Sequence, residues 1–115
     1  MHVQVLHPGF STADTTYPSL SFAPTRLSVA FESSSGEPVT VDFGGVVAFS
    51  WQEDQDGLLA GEPWDGPCEL FNTPLLAAHP PGKTMYSVAG LRHIRLHFNE
   101  WGRLDVLCIG FSRSA

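Results

Sequence analysis

No lysine or arginine occurs between Arg26 and Lys83. Nine acids fall in that stretch: Glu32, Glu37, Asp42, Glu53, Asp54, Asp56, Glu62, Asp65 and Glu69. From Lys83 onward the balance reverses, with Lys83, Arg92, Arg95, Arg103 and Arg113 against only Glu100 and Asp105. An acidic segment without compensating cations leaves a one-signed field over part of a surface, which repels nucleic acid and favours basic partners. The formal net charge of −6 likewise argues against a sequence-independent phosphate binder, which needs clustered cations.

Cysteine is also scarce. Cys68 and Cys108 are the only two, too few for a disulfide framework, and whether they meet is open at this point. Cys108 lies in an apolar run and reads as a small buried hydrophobe. Long apolar runs are missing too: none approaches the ~18 residues of a membrane span. The opening Met1-His2-Val3-Gln4-Val5-Leu6-His7-Pro8 has no basic n-region and does not read as a signal peptide. The expectation is a cytoplasmic protein without a membrane partner.

What is present is β chemistry. The 115 residues fit one β-rich domain over 1–115, with eight Phe, three Trp and many Val and Leu for a core. A low charged fraction with abundant Gly and Pro suits short strands and turns better than helices. Val3 to His7 reads as a first strand, and Pro8 to Pro24 as a long loop pinned by Phe10, Tyr17, Leu20 and Phe22. In Arg26 to Ser33, Leu27, Val29 and Phe31 alternate with polar residues, and Val39, Val41 and Phe43 alternate again after a Ser- and Gly-rich turn, which predicts a hairpin over 26–43. Gly44-Gly45 breaks the run, and Val46 to Trp51, apolar on both faces apart from Ser50, reads as a more central strand. Gln52 to Pro67 is an acidic loop. Cys68 to Phe71 and Met85 to Val88 are predicted strands. Between them Asn72-Thr73-Pro74 predicts a helix start and Pro80-Pro81-Gly82 its stop. Ile94, Leu96 and Phe98 alternate with His93, Arg95 and His97. After the Asn99-Glu100-Trp101-Gly102 turn, Arg103 to Phe111 returns antiparallel. The predicted fold is mainly β, a compact antiparallel sandwich or partly closed barrel, with one short helix placing Leu75 and Leu76 on an open end of the sheet.

His93, Arg95 and His97 form the most suggestive polar stripe. Neighbours on one strand face lie about 6–7 Å apart and the two histidines about 13 Å apart, too far for one metal ion to bridge. The stripe is read either as a solvated face with Glu100 or Asp105 as local partners, or as a ligand face for an anion or for a partner's acids. Gly82-Lys83-Thr84 echoes the end of a phosphate-binding loop, but Ala77 replaces its first glycine and Pro80 and Pro81 lack the N–H groups that cradle phosphate. Gln52 to Pro63 is a near miss for a calcium loop, with Asp54, Asp56 and Gly57 in place but Pro63 where a bidentate carboxylate belongs. No nucleophile elbow occurs and neither cysteine has a protease-like context, so a non-enzymatic role without cofactor or metal is the expectation. Trp64 and Trp101 fall in predicted loops, as interface anchors or as lids over the core.

The run Leu91 to Cys108, LRHIRLHFNEWGRLDVLC, resembles the closing hairpin of some small bacterial immunity-type proteins, which also end in an apolar strand, an Asn- and Gly-containing turn and an L-D-V-like strand. The preceding Phe71-Asn72-Thr73-Pro74-Leu75-Leu76 extends the resemblance. It implies a toxin-neutralising partner and assigns no residue. The leading expectation is therefore a protein-binding domain that offers Glu53, Asp54, Asp56, Glu62, Trp64, Asp65 and Trp101 to a basic protein. The alternative is a small-molecule- or metal-binding β-barrel using His93 and His97. A third reading is a homo-oligomer whose exposed aromatics meet their symmetry mates.

Overall fold

Leu27, Val29 and Phe31 are buried while their neighbours Arg26, Ala30 and Glu32 are exposed, and Val39, Val41 and Phe43 repeat the pattern on the facing strand. Period-two alternation of this kind forms a sheet with one face to the core. The protein is described by a computed structural model covering residues 2–6, 9–53, 58–79 and 90–114. Among these residues the elements are β1 (His2–Val5), β2 (Ser19–Ala23), β3 (Arg26–Glu32), β4 (Pro38–Gly44), β5 (Ala48–Gln52), β6 (Pro67–Phe71), α1 (Pro74–Ala77), β7 (Arg92–Phe98), β8 (Gly102–Cys108) and β9 (Gly110–Ser114).

The strands form two antiparallel sheets, ordered β1-β6-β7-β8-β5 and β2-β3-β4-β9. The mainly β fold of antiparallel sheets with one short helix is thus as expected, and among the described residues the sheets do not close into a barrel. Ile94, Leu96, Phe98, Leu104, Val106 and Cys108 from the first sheet meet Leu27, Val29, Phe31, Val39, Val41 and Phe43 from the second in one apolar cluster. Phe31 and Phe98 pack edge to face across it, with ring centroids 5.2 Å apart.

Two strands switch sheets at one corner. Gly44 pairs with Gly110 in one sheet and Ala48 with Leu107 in the other. Between these pairs three residues face two, a bulge that bends both chains. The ladder survives it, since Ile109 N–H donates to the Gly44 carbonyl and Val47 N–H to that of Leu107, each at 3.0 Å. Gly45 is required there: its φ is +64°, and a Cβ would run into the Ile109 side chain.

Four expectations change. The Pro8–Pro24 loop contains strand β2, and Thr12, Thr15 and Pro18 within it are buried. Phe22 does not pin it, being 54% exposed with its ring against Phe49. The strand after Gly45 lies at a sheet edge rather than centrally. The C-terminal strand is two strands, because Ile109 sits at the corner. The predicted 85–88 strand, Lys83, Asp54 and Asp56 lie outside the described residues. Among the described residues no helix is long and apolar enough to cross a membrane.

Candidate functional site

Cross-strand pairing arranges the face of the first sheet that points away from the core into rows. Leu70, His93, Leu107 and Ala48 form one row. Cys68, Arg95, Asp105 and Ser50 form the next, and His97, Arg103 and Gln52 the third. The stripe of His93, Arg95 and His97 does point away from the inter-sheet core, but it is not solvated: these residues are only 4%, 8% and 7% exposed. The acidic segment and the turn before α1 supply partners from above. Glu62, expected on the surface, is 7% exposed and faces Arg95 and His97. Thr73, the N-cap of α1, reaches His93. Leu75 and Leu76 are half-buried beside this face rather than at an open end of the sheet, Leu75 lining the same cleft as His93.

Asp105 organises the network. Its Oδ1 accepts from His93 Nε2 at 2.7 Å and from Arg95 Nε at 2.7 Å, and its Oδ2 from Arg95 Nη2 at 3.4 Å. Burial raises the carboxyl, but the bonds from His93 and Arg95 outweigh it and hold Asp105 below its usual value. An ionised Asp105 only accepts, so His93 Nε2 donates to it. In a neutral ring Nδ1 is then the acceptor of the Thr73 hydroxyl at 2.8 Å. The same hydroxyl accepts Leu76 N–H, so one oxygen ties the helix turn to the sheet.

Glu62 closes the other side. Its Oε2 accepts Leu59 N–H at 2.8 Å and faces Arg95 Nη1 at 3.5 Å, while Oε1 and His97 Nδ1 stand 3.8 Å apart without a hydrogen bond. Burial lowers the pKa of His97; Glu62 partly opposes this, and Arg103 and Arg95 add to it. Among the described residues no group of three His, Cys, Asp or Glu converges as metal ligands. Cys68 shares this face and Cys108 faces the core, both as free thiols, pushed up by burial to about 12 and about 11.

The second candidate lies where the 11–17 segment crosses the end of the sandwich. Ser11 Oγ and Thr12 N–H donate to the Asp65 carbonyl, and the Thr12 hydroxyl to that of His97. Asp14 exchanges hydrogen bonds with the Asn99 amide. Trp101 Nε1 donates to the Thr15 carbonyl at 2.8 Å, and Glu32 N–H to the Thr16 hydroxyl. The Tyr17 hydroxyl donates to Glu53 at 2.9 Å, a bond that raises the Tyr17 pKa. These ties bring Asp14, Glu32, Glu53, Asp65 and Glu100 around one segment, all exposed. Among the described residues none of the five forms an ion pair. The Tyr17 ring, in a residue 48% exposed, packs edge-on against Trp51 and Trp101. Trp64 stands beside Asp65, 50% exposed, whereas Trp101 is half-buried as a lid.

The expected binding residues therefore separate. Glu53, Trp64 and Asp65 are exposed, Glu62 is turned inward, and Glu69 is paired with Arg92 at 2.8 Å. Sequence reasoning missed Asp14, Tyr17, Glu32 and Glu100, which three separate segments contribute. It also missed Thr73 as a partner of His93. Of the two acids expected as local partners of the stripe, Asp105 is the one that bonds it: a turn centred on Glu100 places Asp105 opposite Arg95.

No family model, curated protein or solved structure matches the chain.

Proposed function

We propose that the protein binds a basic protein surface through the end built on residues 11–17, with Tyr17 and Trp64 as aromatic anchors. The concrete form is an immunity-type protein that neutralises a cationic toxin. One observation carries this reading: five exposed acids lie on the 11–17 segment or on the chain that meets it, without a described cation paired to any of them. Most of the described cations are engaged elsewhere, Arg92 with Glu69, Arg95 with Asp105 and Glu62, Arg103 with Gln52 and Arg113 with Glu37. The uncompensated charge at this end is negative, which steers a basic partner and speeds encounter. Exposed aromatics that lose water on docking supply the lasting contact.

The test is capture from the native host at low salt. The tagged protein is compared with a variant carrying Asp14→Asn, Glu32→Gln, Glu53→Gln, Asp65→Asn and Glu100→Gln. A stoichiometric basic protein held by the first, released as salt rises and absent from the second is the expected result. The same captured set from both refutes the reading.

The alternative has its own support, because His93 lines a cleft with Arg95 and Asp105. His97 does not line it and faces Glu62 instead.

A further inference from the structure

We propose that the cleft over Ser50, Arg95, Arg103 and Asp105 binds a small carboxylate with an apolar body. The cleft measures about 470 Å³, and Leu59, Leu70, Pro74 and Leu75 give it an apolar lining beside the polar groups. That size lies within the usual range of small-molecule sites, which pair an apolar wall with a few fixed polar groups.

The hydrogen bonding of the polar groups selects the ligand. Most acceptors there are already engaged: both oxygens of Asp105 by Arg95 and His93, the Gln52 carbonyl oxygen by Arg103, the Thr73 oxygen by Leu76 N–H, and His93 Nδ1 by Thr73. Donors remain. Arg103 uses Nε and Nη2 on Gln52, and its Nη1 has no described partner. Arg95 Nη1 has only Glu62 at 3.5 Å, and the exposed Ser50 hydroxyl has no described partner. A surface whose unpartnered groups include two guanidinium donors and a hydroxyl fits an anionic oxygen ligand. Charge permits it, since Arg95 and Arg103 together offset Glu62 and Asp105 and leave no net negative charge to repel an anion. Inorganic phosphate satisfies the donors but leaves the leucine wall unused, whereas a short-chain carboxylate uses both.

The other clefts lack this combination. The one between Val5, Phe10, Pro63 and Pro67 has Asp65 as its charged lining residue, and the one at the corner is lined by both Arg26 and Asp42. The donor-rich cleft needs none of the five exposed acids, so its test is separate from that of partner binding.

The experiment is an amide NMR titration of the full chain with hexanoate, hexylamine and inorganic phosphate. Saturable shifts with hexanoate are expected at residues 50–52, 70–75, 93–95 and 103–105, with no such pattern for hexylamine. Arg103→Gln, a half-buried position outside the core, keeps the native spectrum and weakens hexanoate about tenfold, the effect of one lost charge-assisted contact. Leu75→Asn weakens hexanoate and leaves phosphate unchanged. The proposal is overturned if hexanoate gives no saturable shift, if hexylamine binds equally well, if phosphate alone binds, or if Arg103→Gln binds hexanoate as the parent does.

Discussion

The two faces of strands β7 and β8 are buried alike and built from opposite chemistry. Toward the second sheet stand Ile94, Leu96, Phe98, Leu104 and Val106, each 0% exposed. Away from it stand His93, Arg95, His97 and Asp105, none above 8%. The apolar face is held by area removed from water and by close packing, which need no particular partner. The ionic face is held by pairing: without Arg95, Asp105 and Glu62 would be buried charges that have lost the cation they pair with. Burial by itself therefore does not make a core, and each face fails differently when altered.

The largest effect should come from Arg95→Ala, which strands two buried carboxylates and should cost about 3–5 kcal/mol in chemical denaturation. Replacing Arg95, Glu62 and Asp105 together by Met, Leu and Leu should cost less than Arg95→Ala alone, because no unpaired charge is left. The neighbouring inner-face change Leu96→Ala should cost about 2–5 kcal/mol through lost transfer energy and a cavity. Its loss should not vary with pH. The loss from Arg95→Ala should shrink in acid as the stranded carboxylates take up protons. If both losses track pH equally, the distinction between the faces is wrong.

Smaller effects sharpen the contrast. Thr73→Ala removes the helix cap and the His93 contact and should cost about 1–2 kcal/mol, with Thr73→Ser retaining most of that. His97 gives a pH signature. Its folded pKa lies below the ordinary value of 6.5, so the unfolded chain binds the proton first. Stability from this group is present above about pH 6.5 and is lost as pH falls toward the folded pKa. His97→Gln should flatten the melting temperature in that window. Asp105, lowered from 3.8, acts in a separate window: its contribution is lost only as pH falls below about 4.

Alternation made the strands readable. Leu27-Val29-Phe31, Val39-Val41-Phe43 and Ile94-Leu96-Phe98 each carry period two, and each lines the core. Ser19–Ala23 escaped because the edge strand β2 is short and buries little: Leu20 and Phe22 alternate with serines, but of the two only Leu20 packs on the core. The long strand through Ile109 reads as continuous because a corner that keeps its ladder looks locally like a strand. The polar stripe was placed on the correct face, but its covering was not visible. Glu62 lies 33 positions from Arg95, and nothing local to either announces the pairing. The acidic end was harder still. Hydrogen bonds of the 11–17 segment tie in Glu32, Glu53 and Asp65 and, through Asn99 and Trp101, the turn that carries Glu100, whereas the sequence displays acids as one contiguous run.

The most direct test of the central claim is the association and dissociation kinetics of the captured basic partner at two ionic strengths. Electrostatic steering raises on-rates by about 10–10³-fold, so neutralising the five acids should slow association roughly tenfold or more and flatten its salt dependence. Tyr17→Ala should instead speed dissociation, about tenfold for an anchor residue, with little change in on-rate. An on-rate unchanged by the five-acid variant at low salt would contradict the account.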